Sequence, residues 1–263
     1  MPTLAAVTVE LERLAPLRLA AEWDSVGLLV GPSRPTIGRV LTCLSLTARV
    51  AAEAVRERAD LVVTHHPLPF RPVGRITADS GTGRVLLELI RSGCGVWSSH
   101  TAWDSAVGGI NDQLAALLGL ADVEPIEPDA AIPGAGFGRL GKAAAQVSVA
   151  ALGQVAAERL GATAVQIVGD PKRPAGRVGI VCGSGGDSIA QVRGRGCDTL
   201  LTGELRLHHG IEAEAAGLAV VAVGHHASER FAMEVLAERL AAAVPGLVAW
   251  ASCDERDPFS PLV

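Results

Sequence analysis

Seven short apolar runs constrain this chain more than any other feature, because several of them are apolar throughout instead of alternating with polar residues. They are Val40–Leu46, Leu61–Thr64, Gly95–Ser98, Ala164–Val168, Val178–Cys182, Thr199–Leu201 and Leu218–Val223. A strand of that kind is buried on both faces, which requires a sheet covered by helices on both sides. Helical spacing with charged faces supplies the covers at 4–17, 47–59, 83–92, 110–119, 148–160, 187–196 and 228–243. The expected fold is therefore α/β, with mostly buried sheets flanked by helices.

At 263 residues the chain can hold one large α/β domain or two compact lobes. The segment 121–138 carries Pro125, Pro128, Pro133, Gly134, Gly136 and Gly138, enough breakers to exclude regular structure over most of it. It reads as a linker joining an N-terminal α/β lobe, 1–120, to a C-terminal one, 139–263. The break from Gly169 to Gly176 is shorter and reads as a loop within the second lobe.

Hydrophobic residues make up 49% of the chain, yet no uncharged apolar run reaches the ~18 residues needed to cross a bilayer. The first residues lack the pattern of a secretory signal, so a cytoplasmic location is expected. Cys43, Cys94, Cys182, Cys197 and Cys253 are scattered, odd in number and without a CxxC pair, and read as small core residues. A net charge of −5 with no tyrosine argues against a nucleic-acid or membrane-surface role.

Three polar clusters follow three of the apolar runs. His65-His66 ends the run at 61–64, and Pro67 and Pro69 stop the ladder there. His100 and Asp104 follow the run at 95–98. His225 and Glu229 follow the run at 218–223, where Ser228 is placed as the N-cap of the next helix, so that a tight turn separates the two. In open α/β sheets ligands gather outside the carboxyl ends of strands, so clusters distant in sequence can converge. His65, His66, Asp104, His225 and Glu229 offer three imidazoles and two carboxylates, suited to Zn²⁺, Fe²⁺, Mn²⁺, Co²⁺ or Ni²⁺. Five ligands exceed the needs of one ion, and the paired rings can splay toward two, with Glu229 as the shared carboxylate. The bland reading of an isolated His-His is a turn or a hydrogen-bonded pair.

Weaker signals remain. Cys182 to Ser188 follows a strand and contains Gly183, Gly185 and Gly186, so its N–H groups could cradle an anion, although a plain strand-to-helix turn is the commoner meaning. Thr202, Glu204 and His208 could contact substrate, or Glu204 and His208 could pair across a helical turn. Trp23, in the segment from Glu22 to Gly31, suits a pocket wall or ordinary packing.

The sequence resembles the NIF-three-like family, whose members are often labelled GTP cyclohydrolase I type 2 homologues. WDSVGLLVG at 23–31, DLVVTHHPLPF at 60–70, SHTAWD at 99–104, GGINDQLA at 108–115, TGELRLHH at 202–209 and GHHASE at 224–229 carry the likeness over nearly the whole chain. The resemblance implies a dinuclear metal site in a cleft between two α/β lobes, no inserted domain, and a ring-shaped homohexamer. It implies His66 and Asp104 on one ion, His65 and His225 on the other, and Glu229 on both. His226 stands where the family has a bulky aromatic, and Ala102-Trp103 where it commonly has Asn-Leu.

The function expected on this basis is metal-dependent hydrolysis. Two ions about 3.5–4 Å apart would hold a bridging hydroxide that attacks a nucleotide or other small substrate. A GTP-type substrate would be attacked at a purine-ring carbon. His100, His208 and His226 are the candidates for proton transfer or for hydrogen bonds to the ligands. The rival is a non-catalytic metal-binding regulatory or scaffold protein, whose site would be closed by protein ligands where a catalytic one stays open.

Overall fold

A computed structural model describes residues 1–259. The chain begins with helix α1 (Leu4–Leu14), capped by Thr3, whose side chain accepts from the Ala6 N–H. It ends earlier than the expected 4–17 because Pro16 opens a separate short turn at Leu17–Leu19. Strands β1 (Gly27–Val30), β2 (Arg39–Ser45), β3 (Leu61–His66) and β4 (Gly95–Ser98) follow, with α2 (Ala48–Arg56) and α3 (Gly81–Ser92) between them. Thr47 and Ser80 cap these two helices, and left-handed Gly93 terminates α3. Next come α4 (His100–Ser105) and α5 (Ile110–Leu117).

The segment read as a breaker-rich linker is ordered as strands β5 (Ala121–Glu124), β6 (Glu127–Pro128) and β7 (Gly136–Phe137), followed by β8 (Arg139–Lys142). Pro125, Pro133, Gly134 and Gly138 lie between these short strands, and Pro128 and Gly136 lie within β6 and β7, where they pair with each other. The remaining elements are α6 (Val149–Leu160), β9 (Gln166–Val168), β10 (Arg177–Ser184), α7 (Ile189–Gly194), β11 (Thr199–Glu204), α8 (Leu207–Ala215), β12 (Ala219–Ala222), α9 (His225–Arg230), α10 (Ala232–Ala243) and β13 (Val248–Ala251). No helix among the described residues is long and apolar enough to cross a membrane.

The chain divides into two compact units, and neither boundary falls at 121–138. One unit holds Met1–Trp103 and Ala232–Pro258, the other Asp104–Phe231. The reason is the return of the C-terminal segment, because β13 pairs in parallel with β2 and completes the first unit's sheet.

That sheet has the order β1-β4-β3-β2-β13, parallel except for β1. Leu41, Cys43, Val62 and Val96 from its strands pack with Val50 and Ala54 of α2 and Val85 and Leu89 of α3. Glu255 closes the carboxyl end of β2, where its carboxylate accepts from the N–H groups of Leu44 at 3.1 Å and Ser45 at 2.6 Å. The second unit's sheet has the order β5-β8-β10-β11-β12-β9, with β10, β11 and β12 parallel and the outer strands antiparallel. Val181, Leu200 and Val220 pack there with Ile189 and Val192 of α7 and Ala213 of α8. The buried strands are β2, β3 and β4 in the first unit and β10, β11 and β12 in the second, as the continuous apolar runs require, whereas β13, parallel to β2, is partly exposed.

Candidate metal-binding site

In the first unit three imidazoles gather at the carboxyl ends of β3 and β4. Parallel register sets Ser45 of β2 beside His66 of β3, and Thr64 of β3 beside Ser98 of β4. His65 is buried, and its carbonyl accepts from Ser98 Oγ at 2.7 Å. His66 is half-buried, with Nδ1 2.8 Å from Ser45 Oγ. His100 opens α4 in the left-handed region, at φ +27°. Its ring centroid lies 5.2 Å from that of His65 and 5.6 Å from that of His66. One donor nitrogen from each of the three rings can be chosen so that all lie within 4.8 Å of one another.

Asp24 fixes His100. Its Oδ1 is 2.7 Å from His100 Nδ1, while its Oδ2 accepts from the Thr101 N–H at 3.1 Å and Thr101 Oγ1 at 2.5 Å. Burial alone would raise the Asp24 pKa, but the bonds from His100 and Thr101 hold it below the ordinary carboxylate value. Trp23 and Phe70 flank His100 with ring centroids at 5.9 and 6.1 Å. Trp23 is 64% exposed, so it is a wall beside the imidazoles and not a core residue.

In the second unit the polar residues gather at the carboxyl ends of β10, β11 and β12. Asp104 lies on α4, and its Oδ1 is 3.2 Å from Cys182 Sγ at the end of β10. Burial, reinforced by the charges of Asp104 and Glu229, pushes the Cys182 pKa well above its ordinary value, so the thiol keeps its proton and donates to Asp104. Asn111 ties the two together, accepting from the Cys182 N–H at 2.9 Å and donating to the Asp104 carbonyl at 3.1 Å.

Gly224, at φ +94°, turns the chain from β12 into α9. His225 and Glu229 are therefore one helical turn apart on the same face, in place of the expected tight turn. Ser228 lies inside α9 and is no N-cap: its buried Oγ donates to the His225 carbonyl at 2.8 Å and accepts from the Gly183 N–H at 3.0 Å. His225 is held between two carboxylates, with Nε2 3.1 Å from Glu229 Oε2 and Nδ1 3.1 Å from Glu204 Oε1. Burial alone would lower the pKa of His225, but Glu229 and Glu204 together raise it from 6.5 to about 9. Gly183 is left-handed at φ +62°, and a Cβ there would run into Glu229 Oε1.

Glu204 pairs with His225 and not with His208, which lies exposed on α8 with its ring 4.1 Å from that of His209. His226 is on α9, and its Nε2 is buried with no hydrogen-bond partner among the described residues. In the glycine loop after β10, the N–H groups of Gly183 and Gly185 are already donated to Ser228 and Thr202, so the loop is built as a turn. Of the five cysteines, Cys253 is exposed and four are buried. Sequence reasoning missed Asp24, Ser45 and Cys182 as partners of candidate ligands. Asp24 lies in the segment from Glu22 to Gly31 singled out for Trp23, and Cys182 opens the glycine loop, but nothing in either stretch marks the residue as a partner of a candidate ligand.

Comparison with known proteins gives a consistent result. The family model described as Duf34/NIF3 (NGG1p interacting factor 3) matches residues 2–258. A protein of Clostridium perfringens named GTP cyclohydrolase 1 type 2 homolog is 33% identical over 258 residues, covering 95% of this chain and 95% of its own. A Streptomyces coelicolor protein of the same name is 38% identical over 234 residues, covering 87% and 82%. Among solved structures, a Bacillus cereus protein related to NIF3 superposes with a TM-score of 0.91 at 20% identity, covering 99% of each chain, which is a likeness of fold.

Proposed function

We propose that this chain, which belongs to the Duf34/NIF3 family, is a metal-dependent hydrolase acting on a nucleotide or another small substrate. Two divalent ions, drawn from Zn²⁺, Fe²⁺, Mn²⁺, Co²⁺ and Ni²⁺, would be held by five residues. His66 and Asp104 would serve one ion, His65 and His225 the other, and Glu229 both. A homohexameric assembly and a cytoplasmic location belong to the same proposal.

The setting of His225 carries this reading. A carboxylate on each side of one imidazole, with Glu229 facing Nε2, is the arrangement a cation would complete by replacing the Nε2 proton. The donor chemistry fits as well, since imidazole and carboxylate together suit borderline divalent ions. When bound, such ions act as Lewis acids and lower the pKa of coordinated water toward neutrality.

The chain's own residues supply orientation and proton handling. Ser45 fixes the His66 ring at Nδ1, and the Cys182 thiol and Asn111 fix Asp104. Asp24 holds the His100 ring at Nδ1, so Nε2 is the ring nitrogen available for proton transfer with substrate or water. His208 and His226 remain candidates for proton transfer. The names of the curated relatives point the substrate class toward GTP.

A second reading is a non-catalytic metal-binding regulatory or scaffold protein, favoured by the interaction partner in the family's own description. A hydrolase screen with nucleotides, phosphoesters and amides separates the two. Wild-type activity that disappears in Glu229→Ala supports the enzyme, whereas inactivity throughout, or activity that survives Glu229→Ala, supports the regulatory reading.

A further inference from the structure

We propose that Glu204 is a positioning residue for His225: by accepting the Nδ1–H it commits the ring to the tautomer whose Nε2 donates to a metal ion. The proposal rests on the metal-binding reading above. It gives a role to the TGE segment at 202–204, which that reading leaves unused.

The parallel register of β11 and β12 creates the pair. Thr202 lies beside Ala222, so Glu204 projects from the end of β11 where the chain leaving β12 turns at Gly224 to place His225. The two carboxylates around the ring are not equivalent. Glu229 is buried, with its side chain 4% exposed, and faces Nε2, while Glu204 is 54% exposed and faces Nδ1. The ring nitrogens point in divergent directions, so an ion on Nε2 is within reach of Glu229, and Glu204 on the far side cannot join it. A carboxylate in that outer position has two effects: it fixes the ring plane and the tautomer, and it makes the donating nitrogen more basic. Because Glu204 is largely exposed, its removal leaves no buried group unpaired other than Nδ1 of the half-buried ring, and the fold is expected to tolerate it.

The test uses the full chain stripped of metal and titrated with Zn²⁺ alone, with affinity read by chelator competition. Glu204→Ala should weaken binding about 10–100-fold, the range found for partners of metal-ligating histidines. Glu204→Gln, which keeps a carbonyl acceptor, should recover most of that loss. In ¹⁵N-labelled protein the His225 Nδ1–H signal should be visible in wild type and Glu204→Gln and absent in Glu204→Ala, with the metal-free melting temperature unchanged in all three. Wild-type affinity in Glu204→Ala, or a retained Nδ1–H signal there, would overturn the positioning role while His225→Ala still loses Zn²⁺. Wild-type protein that takes up no Zn²⁺ would overturn both this role and the metal reading.

Discussion

Asp24 Oδ1 lies 2.7 Å from His100 Nδ1, and the Asp24 side chain is wholly buried beneath the half-buried ring. The carboxylate is ionised in the folded protein, with its pKa held below the ordinary value by His100 and Thr101 against the opposing effect of burial. Folding thus favours the deprotonated form. The stability this adds is present above the unfolded carboxylate value near 3.8 and is lost as pH falls through the lower folded value. Asp24→Asn should cost about 1–3 kcal/mol at neutral pH, since an amide cannot accept from both His100 and Thr101. Denaturant melts at pH 7 and pH 3 should show the gap between wild type and variant shrinking in acid. A gap that stays constant would contradict the ionised pair.

Arg139 organises the segment that its prolines and glycines made look like a linker. Its guanidinium is buried, pairs with Asp112, and donates to the carbonyls of Gly136 at 2.8 Å, Gly138 at 2.7 Å and Ala106 at 3.0 Å. Arg139→Ala removes the buried cation of this ion pair and leaves the carbonyls of Ser105, Ala106, Gly136 and Gly138 without that donor, and should cost about 3–5 kcal/mol. Limited proteolysis should then cut within 121–138 in the variant under conditions where wild type stays intact. Equal resistance of the two proteins would show that Arg139 does not hold this segment.

Thiol chemistry should separate the cysteines sharply. Cys43, Cys94, Cys182 and Cys197 are buried, and burial pushes the Cys94 thiol up to about 12. A thiol-reactive dye at pH 8 should label one site, Cys253, in native protein and five after denaturation. Labelling that persists in Cys253→Ser would contradict the burial of the other four.

The buried parallel strands were legible because their runs are apolar throughout, which only a sheet covered on both faces allows. Of the antiparallel edges, β9 was legible within the run at 164–168 and β5 was not: Ala121–Glu124 is exposed at every position and reads as polar loop, yet it pairs with Arg139–Lys142. The C-terminal strand Val248–Ala251 was missed for a similar reason. It is short and partly exposed, and its place is fixed by pairing with β2 some two hundred residues earlier. Candidate ligands stood out because each ends or follows an apolar run. Their partners did not, since nothing local makes Asp24 a neighbour of His100 or Glu204 a neighbour of His225. Those pairings arise only from strand register and chain return. The misplacement of Ser228 has a local cause, because a serine before an apolar helix resembles a cap, while Gly224 starts the helix a turn earlier.

We propose that His65, His66, Asp104, His225 and Glu229 hold divalent metal ions. Elemental analysis of protein purified without added chelator tests it most directly, with His66→Ala and Glu229→Ala measured alongside wild type. Wild-type protein should hold up to about two ions per chain, and each variant should lose at least one. Metal content in both variants equal to that of wild type would contradict it.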